Sequence, residues 1–302
     1  MRTANIVVPN EMTSEGNTSE LRDFIALMKP RVMSLVIFTS LVGLMIAPGH
    51  IHPVLGFTTI LCISLGAGAS AIINNWYDRD IDRLMVRTQN RALPAKRVAP
   101  QDALAFGVFL AVLSIAILAL CVNLLSGLIL AVTIGFYVFI YTMWLKRTTP
   151  QNIVIGGAAG AFPPMISWAA VTGDITLMPV VLFLIIFLWT PPHFWALALY
   201  KCKDYQKAGV PMMPVVKGDL HTKKQMIFYT LLLIPVTLAP YFLSVVGLPY
   251  LAIVSYLNLV FLYLGYKVYK DPAQKLAPRM FGFSILYLFA IFLLLMLDHR
   301  PI

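Results

Sequence analysis

The chain has 302 residues, 59% of them hydrophobic and 12% charged, with a mean hydropathy of +0.81, whereas a soluble domain carries about 25% charged residues. This excludes a disordered chain, a disulfide-stapled scaffold and a nucleic-acid module, because the net charge of +10 is carried by loops between apolar runs and not by a patch on a soluble core. The sequence is that of an integral membrane protein. Its three cysteines, Cys62 and Cys121 in apolar runs and Cys202 in a charged loop, show no metal or disulfide spacing and read as packing residues.

Residues 1–20 are polar and contain Glu11, Glu15 and Glu20, so they read as a tail and not as a cleavable signal or an acidic-poor transit peptide. Crossing a bilayer takes about 20 apolar residues, and nine such runs follow, near 32–50, 54–74, 103–122, 126–145, 153–172, 177–199, 226–246, 249–268 and 280–297. The expected fold is all-α: residues 21–302 form a single bundle of nine transmembrane helices. The longest connections, 75–102 and 200–225, are too short for a domain of their own, so chemistry must sit on them and on helix ends. With nine spans, every lysine and arginine except Arg300 falls on one face, which puts the N-terminus in the cytoplasm and the C-terminus in the periplasm. A bacterial inner membrane is the simplest setting.

The second run leads into Asn74-Asn75-Trp76-Tyr77-Asp78-Arg79-Asp80-Ile81-Asp82-Arg83. If the helix continues, Asn74, Asp78 and Asp82 form one stripe and Arg79, Arg83 and Arg87 another about 100° around the axis. A solvated helix held by ion pairs would place opposite charges at i, i+4, yet Asp78/Asp82, Arg79/Arg83 and Arg83/Arg87 are like pairs, each mildly destabilising. An external partner is therefore expected. An amide and two carboxylates suit a hard cation such as Mg²⁺, which binds through one or two carboxylates plus phosphate oxygens, and neighbouring arginines hold phosphates bidentately. Asp80 points off the stripe and reads as an ion-pair partner or outer support.

Gly156, Gly157 and Gly160 read as sites of close helix packing, and Pro163-Pro164 as a kink in the fifth span. Four spans after the first cluster, His193, Leu197, Tyr200 and Asp204 follow i, i+4, i+7, i+11 before Ala208-Gly209-Val210-Pro211 ends the helix. An even number of spans returns the chain to the same face, so both acidic ends can share one site, with Lys201, Lys203 and Lys207 adding positive charge. A chamber open to acyl chains below and phosphate ligands above suits an amphiphile with a diphosphate head.

Asn74-x3-Asp78-x3-Asp82, followed by Arg87-Thr88-Gln89-Asn90-Arg91, resembles the first motif of the UbiA-type intramembrane prenyltransferases. Lys29-Pro30-Arg31, Leu145-Lys146-Arg147-Thr148, Asn152-Ile153-Val154-Ile155-Gly156-Gly157, Trp189-Thr190-Pro191-Pro192-His193-Phe194-Trp195 and Asp204-Tyr205 leading to Ala208-Gly209-Val210-Pro211-Met212-Met213-Pro214-Val215 resemble the haem-farnesylating branch of that family. The likeness covers nearly the whole chain after residue 20. It implies transfer of the farnesyl group of farnesyl diphosphate to a vinyl group of haem B, with addition of water, and Mg²⁺ as cofactor; haem B is a substrate. By the same resemblance Asn74, Asp78, Asp82 and Asp204 hold the metal, with Asp78, Asp82 and Asp204 catalytic. Arg31, Arg87, Arg91, Lys146, Arg147 and Lys203 are candidates for neutralising the leaving pyrophosphate, and Phe194, Trp195 and Tyr200 for walling out water. A haem-copper oxidase or a haem A synthase is the expected recipient of the product.

One departure is that Tyr200 stands where the wider family carries a carboxylate four residues before Asp204, which favours the haem branch over the quinone-forming ones. His193, about 16 Å deeper than Asp204 along a straight helix, is either a ligand to the haem iron or a buried histidine satisfying carbonyls freed by Pro191 and Pro192. His50, His52, His221 and His299 read as surface residues. Two other functions remain as alternatives: a prenyltransferase acting on an aromatic or quinone precursor, and a secondary transporter, which would place ionisable residues near the bilayer midplane.

Overall fold

A computed structural model of the chain describes residues 20–300; the expected polar tail lies, except for Glu20, outside the described residues. Every regular element is helical. In chain order these are α1 (Leu21–Leu27), α2 (Pro30–Met45), α3 (Pro53–Tyr77), α4 (Arg79–Leu84), α5 (Pro100–Ile117), α6 (Leu124–Gly135), α7 (Lys146–Thr148), α8 (Asn152–Ala161), α9 (Pro163–Thr172), α10 (Leu177–Tyr200), α11 (Cys202–Lys207), α12 (Met213–Phe242), α13 (Leu248–Lys270) and α14 (Ala277–Leu297). α5 runs on into a π-helical turn, Leu118–Val122, and α6 into a longer one, Phe136–Leu145. Proline opens many of these helices, including α2, α3, α5 and α9, where its missing N–H would have had no helical partner.

Among the described residues eight helices are long and apolar enough to cross a membrane, and α1 with α2, bent by 57° across their break, makes a ninth if counted as one span. The protein is thus a multi-pass, all-helical membrane protein. The bend has a local cause. Pro30 disfavours the right-handed helical region for the residue before it, and Lys29 takes a left-handed conformation at φ +57°. At the two prolines of the fifth span the helix is interrupted at Phe162, between α8 and α9, while Asn152–Thr172 remains one span; α10 passes through Pro191 and Pro192 unbroken. α12 begins at Met213, well before its apolar run, and turns at Gly218 (φ +78°); the early part is rich in Lys, Asp and His and escapes a reading based on hydropathy.

The interior consists of two apolar clusters. One is built from α3, α5 and α6 and includes Ile63, Ile72, Leu110 and Ile134. The other is built mainly from α10 to α14 and includes Leu182, Trp195, Phe261 and Tyr287. Ile81 and Met85 belong to this second cluster, together with Tyr205, Val210 and Met212. The short helix α4 therefore carries the acidic end of the first half into the core of the second. Where helices cross closely the sequence supplies glycine: a Cβ on Gly43 of α2 would lie 2.5 Å from the Pro164 carbonyl oxygen of α9, and one on Gly156 would enter the Tyr141 ring. Gly160 has open space around it and does not serve close packing.

Candidate active site

α3 ends at Tyr77 because Asp78 leaves the helical region (φ −87°, ψ 8°). The axis nonetheless continues, since the Asp78 N–H donates to the Asn74 carbonyl at 2.9 Å and the Asp82 N–H to the Asp78 carbonyl at 2.8 Å. Asn74, Asp78 and Asp82 consequently share a face and are all buried. The expected arginine stripe is cut short. α4 stops at Leu84, Met85 is extended, and the Thr88 hydroxyl donates back to the Asp82 carbonyl at 2.9 Å. Arg87 thereby leaves the line of Arg79 and Arg83, and Arg91 folds back onto the carboxylates.

Each buried acid meets a cation. Arg91 donates to Asp82 Oδ2 at 2.8 Å and to Asn75 Oδ1 at 3.2 Å. Lys146 Nζ donates to Asp78 Oδ2, which also accepts from Asn74 Nδ2 at 2.8 Å. Asn74 Nδ2 lies 3.2 Å from Thr142 Oγ1, and Asn74 Oδ1 accepts from Lys29 Nζ at 3.0 Å. Lys29 lies within electrostatic reach of Arg91, Lys146, Asp78 and Asp82, so three half-buried basic side chains gather around two buried carboxylates. Low dielectric makes an uncompensated charge costly, so this cluster is arranged to receive an anion.

Arg147 is turned away from that centre. It donates to both oxygens of Asp80, at 2.8 and 2.9 Å, sits 4.6 Å above the Tyr77 ring, and approaches Asp78 Oδ1 only at 3.6 Å. Its guanidinium holds the Asp80 carboxyl below the usual carboxylate range. Asp80 is thus the ion-pair partner that its position off the stripe led us to expect.

The second half closes over this group. Arg87 lies within electrostatic reach of both Tyr200 and Tyr141, and Tyr205 of α11 within reach of the same two rings. The two long loops meet there. Asp204 is partly exposed in α11, which follows α10 across a turn at Lys201 (φ −108°, ψ 15°), so the expected single run from His193 to Asp204 is two helices. His193 is buried and lies 2.6 Å, through Nδ1, from Ser284 Oγ.

Other expected site residues are placed differently. Arg31 is exposed on the first turn of α2, and Lys203 is exposed on α11; neither makes a side-chain hydrogen bond among the described residues. Trp195 is fully buried, edge-on to Tyr229 at 5.7 Å, and packs the core without facing an open chamber. Lys29 was not expected. It stands beside Arg31 in the Lys29-Pro30-Arg31 stretch, of which the resemblance implied a role for Arg31 alone.

The donor set suits a divalent cation in part. Asp78 Oδ1 is buried with no hydrogen-bond partner, a free lone pair suited to a metal, and the Asp204 carboxylate has no partner among the described residues. Asn74 offers Oδ1, one lone pair of which accepts from Lys29. Among the described residues no three His, Cys, Asp or Glu side chains form a closed metal cage. The chemistry is that of an open, oxygen-only site that a bound phosphate would complete.

The profile of the UbiA prenyltransferase family matches residues 36–294. A protein of Parvibaculum lavamentivorans named protoheme IX farnesyltransferase is 56% identical over 288 residues, covering 94% of this chain and 91% of the relative. One of Azorhizobium caulinodans with the same name is 56% identical over 281 residues, covering 92% of each. Among solved structures, digeranylgeranylglyceryl phosphate synthase superposes with a TM-score of 0.78 at 20% identity, over 92% of this chain and 98% of that one. A UbiA homologue from Archaeoglobus fulgidus bound to DMAPP and Mg²⁺ superposes at 0.68 and 18% identity, over 89% and 99%. These superpositions establish the fold.

Proposed function

The chain belongs to the UbiA prenyltransferase family, and from that premise we infer that it transfers the farnesyl group of farnesyl diphosphate to a vinyl group of haem B, adds water, and releases haem O and diphosphate. The observation that carries this reading is the gathering of Lys29, Arg91 and Lys146 around the buried Asp78 and Asp82, beside a carboxylate oxygen that accepts no hydrogen bond. The names of relatives at 52–56% identity favour haem over an aromatic or quinone precursor as acceptor.

In this reading Lys29, Arg87, Arg91 and Lys146 receive the diphosphate, and Asp78, Asp82 and Asp204, with Asn74 orienting Asp78, hold Mg²⁺ against it. The metal, when bound, neutralises charge that builds on the leaving group. The allylic C–O bond breaks with its electron pair going to the diphosphate, and preorganised cations aimed there stabilise that charge without reorganising. A haem vinyl carbon then supplies its π electrons to the allylic carbon, and water adds to the cation left beside the porphyrin and loses a proton. Tyr141 and Tyr200, both within electrostatic reach of Arg87, shield the allylic cation from early capture by water. Arg147 acts at one remove, by anchoring Asp80 and Tyr77. Lys29 takes one lone pair of Asn74 Oδ1 and leaves the second for the metal.

All residues from 21 onward form one catalytic domain in this reading, with loops 75–102 and 200–225 on the cytoplasmic side of a bacterial inner membrane. The nine-span count, with α1 and α2 taken as one span, is supported by the one-sided lysines and arginines. The product passes to a haem-copper oxidase or a haem A synthase. A secondary transporter is disfavoured because the charged residues gather at one end of the bundle.

The test is to incubate purified protein with haem B, farnesyl diphosphate and Mg²⁺ and to weigh the haem product. A gain of one farnesyl group plus one hydroxyl is expected. Unmodified haem B from active, folded protein, or farnesylation of a quinone precursor instead, overturns the assignment.

A further inference from the structure

His193 sits in α10 directly after Pro191 and Pro192, and its ring is clamped. Trp189 stacks on it with centroids 4.2 Å apart and planes 18° apart, Phe281 stacks at 4.6 Å and 23°, and Phe194 meets it edge-on at 5.1 Å. Stacked neighbours cover the faces of an imidazole and leave its edge, where both nitrogens lie. Nδ1 is taken, 2.6 Å from Ser284 Oγ on α14.

Ser284 decides which nitrogen carries the proton. Its hydroxyl lies 2.7 Å from the Phe281 carbonyl, and its own carbonyl accepts from Trp189 Nε1 at 2.7 Å. A serine hydroxyl has one proton and two acceptor sites. With that proton directed to the Phe281 carbonyl, Oγ accepts from Nδ1–H and Nε2 is left with a bare lone pair. The opposite arrangement turns the one hydroxyl proton to Nδ1 and takes it from the Phe281 carbonyl, so only the Nδ1–H tautomer makes both contacts of Oγ hydrogen bonds. The same serine thereby fixes the ring's tautomer and, through Trp189, one of the rings stacked on it.

We propose that Ser284 is a positioning residue for the acceptor, holding His193 as the Nδ1–H tautomer so that Nε2 ligates the iron of the bound haem. This rests on haem being the acceptor. A histidine ligand is ordinarily oriented by a hydrogen bond from its second nitrogen, and loss of that partner lowers metal affinity roughly 10–100-fold. Iron ligation at this depth would fix the macrocycle and so select which vinyl group faces the diphosphate.

The test uses the full-length protein titrated with haem B, read by the Soret band and by the resonance Raman Fe–N(His) stretch of the ferrous form. Wild type should show the histidine-ligated spectrum, and His193→Ala should lose it. Ser284→Ala should bind haem about tenfold more weakly and shift the stretch to lower frequency, whereas Ser284→Thr, which keeps the oxygen, should restore both. A wild type that binds no haem overturns the proposed function itself. A histidine-dependent spectrum that Ser284→Ala leaves unchanged overturns only the role of Ser284. A spectrum indifferent to His193→Ala removes the iron ligation while the farnesylation reading stands.

Discussion

At the scale of single residues the site is a balance of charge, and the acids are held by cations that a substrate would reclaim. Asp78 bonds Lys146 and Asn74 through one oxygen and keeps the other free. Asp78→Asn and Asp82→Asn should therefore abolish farnesyl transfer while the protein still inserts and folds, measured as haem O formed by membranes with equal protein content. Lys29 makes its contact from a left-handed backbone position ahead of Pro30. Lys29→Met should raise KM for farnesyl diphosphate at least tenfold and leave haem binding unchanged, measured in steady-state assays that vary each substrate in turn. The acids were legible in the sequence because i, i+4, i+8 spacing is a direct geometric statement. Lys29 was not, because its reach depends on the bend between α1 and α2, and a bend before proline brings the preceding cation, not the following Arg31, to the site. Trp195 was misplaced for a related reason: a helical position names a face, and only packing tells whether that face is wall or core.

At the scale of helices the sequence located the spans and most of their limits well. Apolar runs mark lipid depth, so α3, α5, α8 to α10, α13 and α14 start and stop close to their expected limits. α12 extends past its run because its polar start is still helical. The Arg79, Arg83, Arg87 stripe assumed one continuous helix, and the extended Met85 ended it. Close crossings are the most sensitive part of the bundle. Gly43→Ala would set a Cβ 2.5 Å from the rigid Pro164 carbonyl oxygen, with no flexible side chain to yield. Overpacking of this kind costs about 1–3 kcal/mol. A lowered midpoint of thermal unfolding in detergent is expected, and a midpoint equal to wild type would contradict the crossing of α2 and α9 described here.

At the scale of the whole molecule, two apolar cores are joined at their charged end by α4, whose Ile81 and Met85 pack with Tyr205, Val210 and Met212. The even number of spans between the two motifs foretold that they would share a face. What the sequence left open was how loop 75–102 folds, and its reversal at Thr88 brings Arg91 to Asp82 and Arg87 towards Tyr200. The account stands on this meeting of the two halves, with Asp78 contributed by one and Asp204 by the other. The most direct test is electron paramagnetic resonance of Mn²⁺ in place of Mg²⁺, with a non-ionising farnesyl diphosphate analogue bound. Wild type should show one Mn²⁺–phosphate signature that Asp78→Asn and Asp204→Asn each remove; a signature that survives Asp204→Asn unchanged, or separate signatures lost one by one, would contradict a shared site.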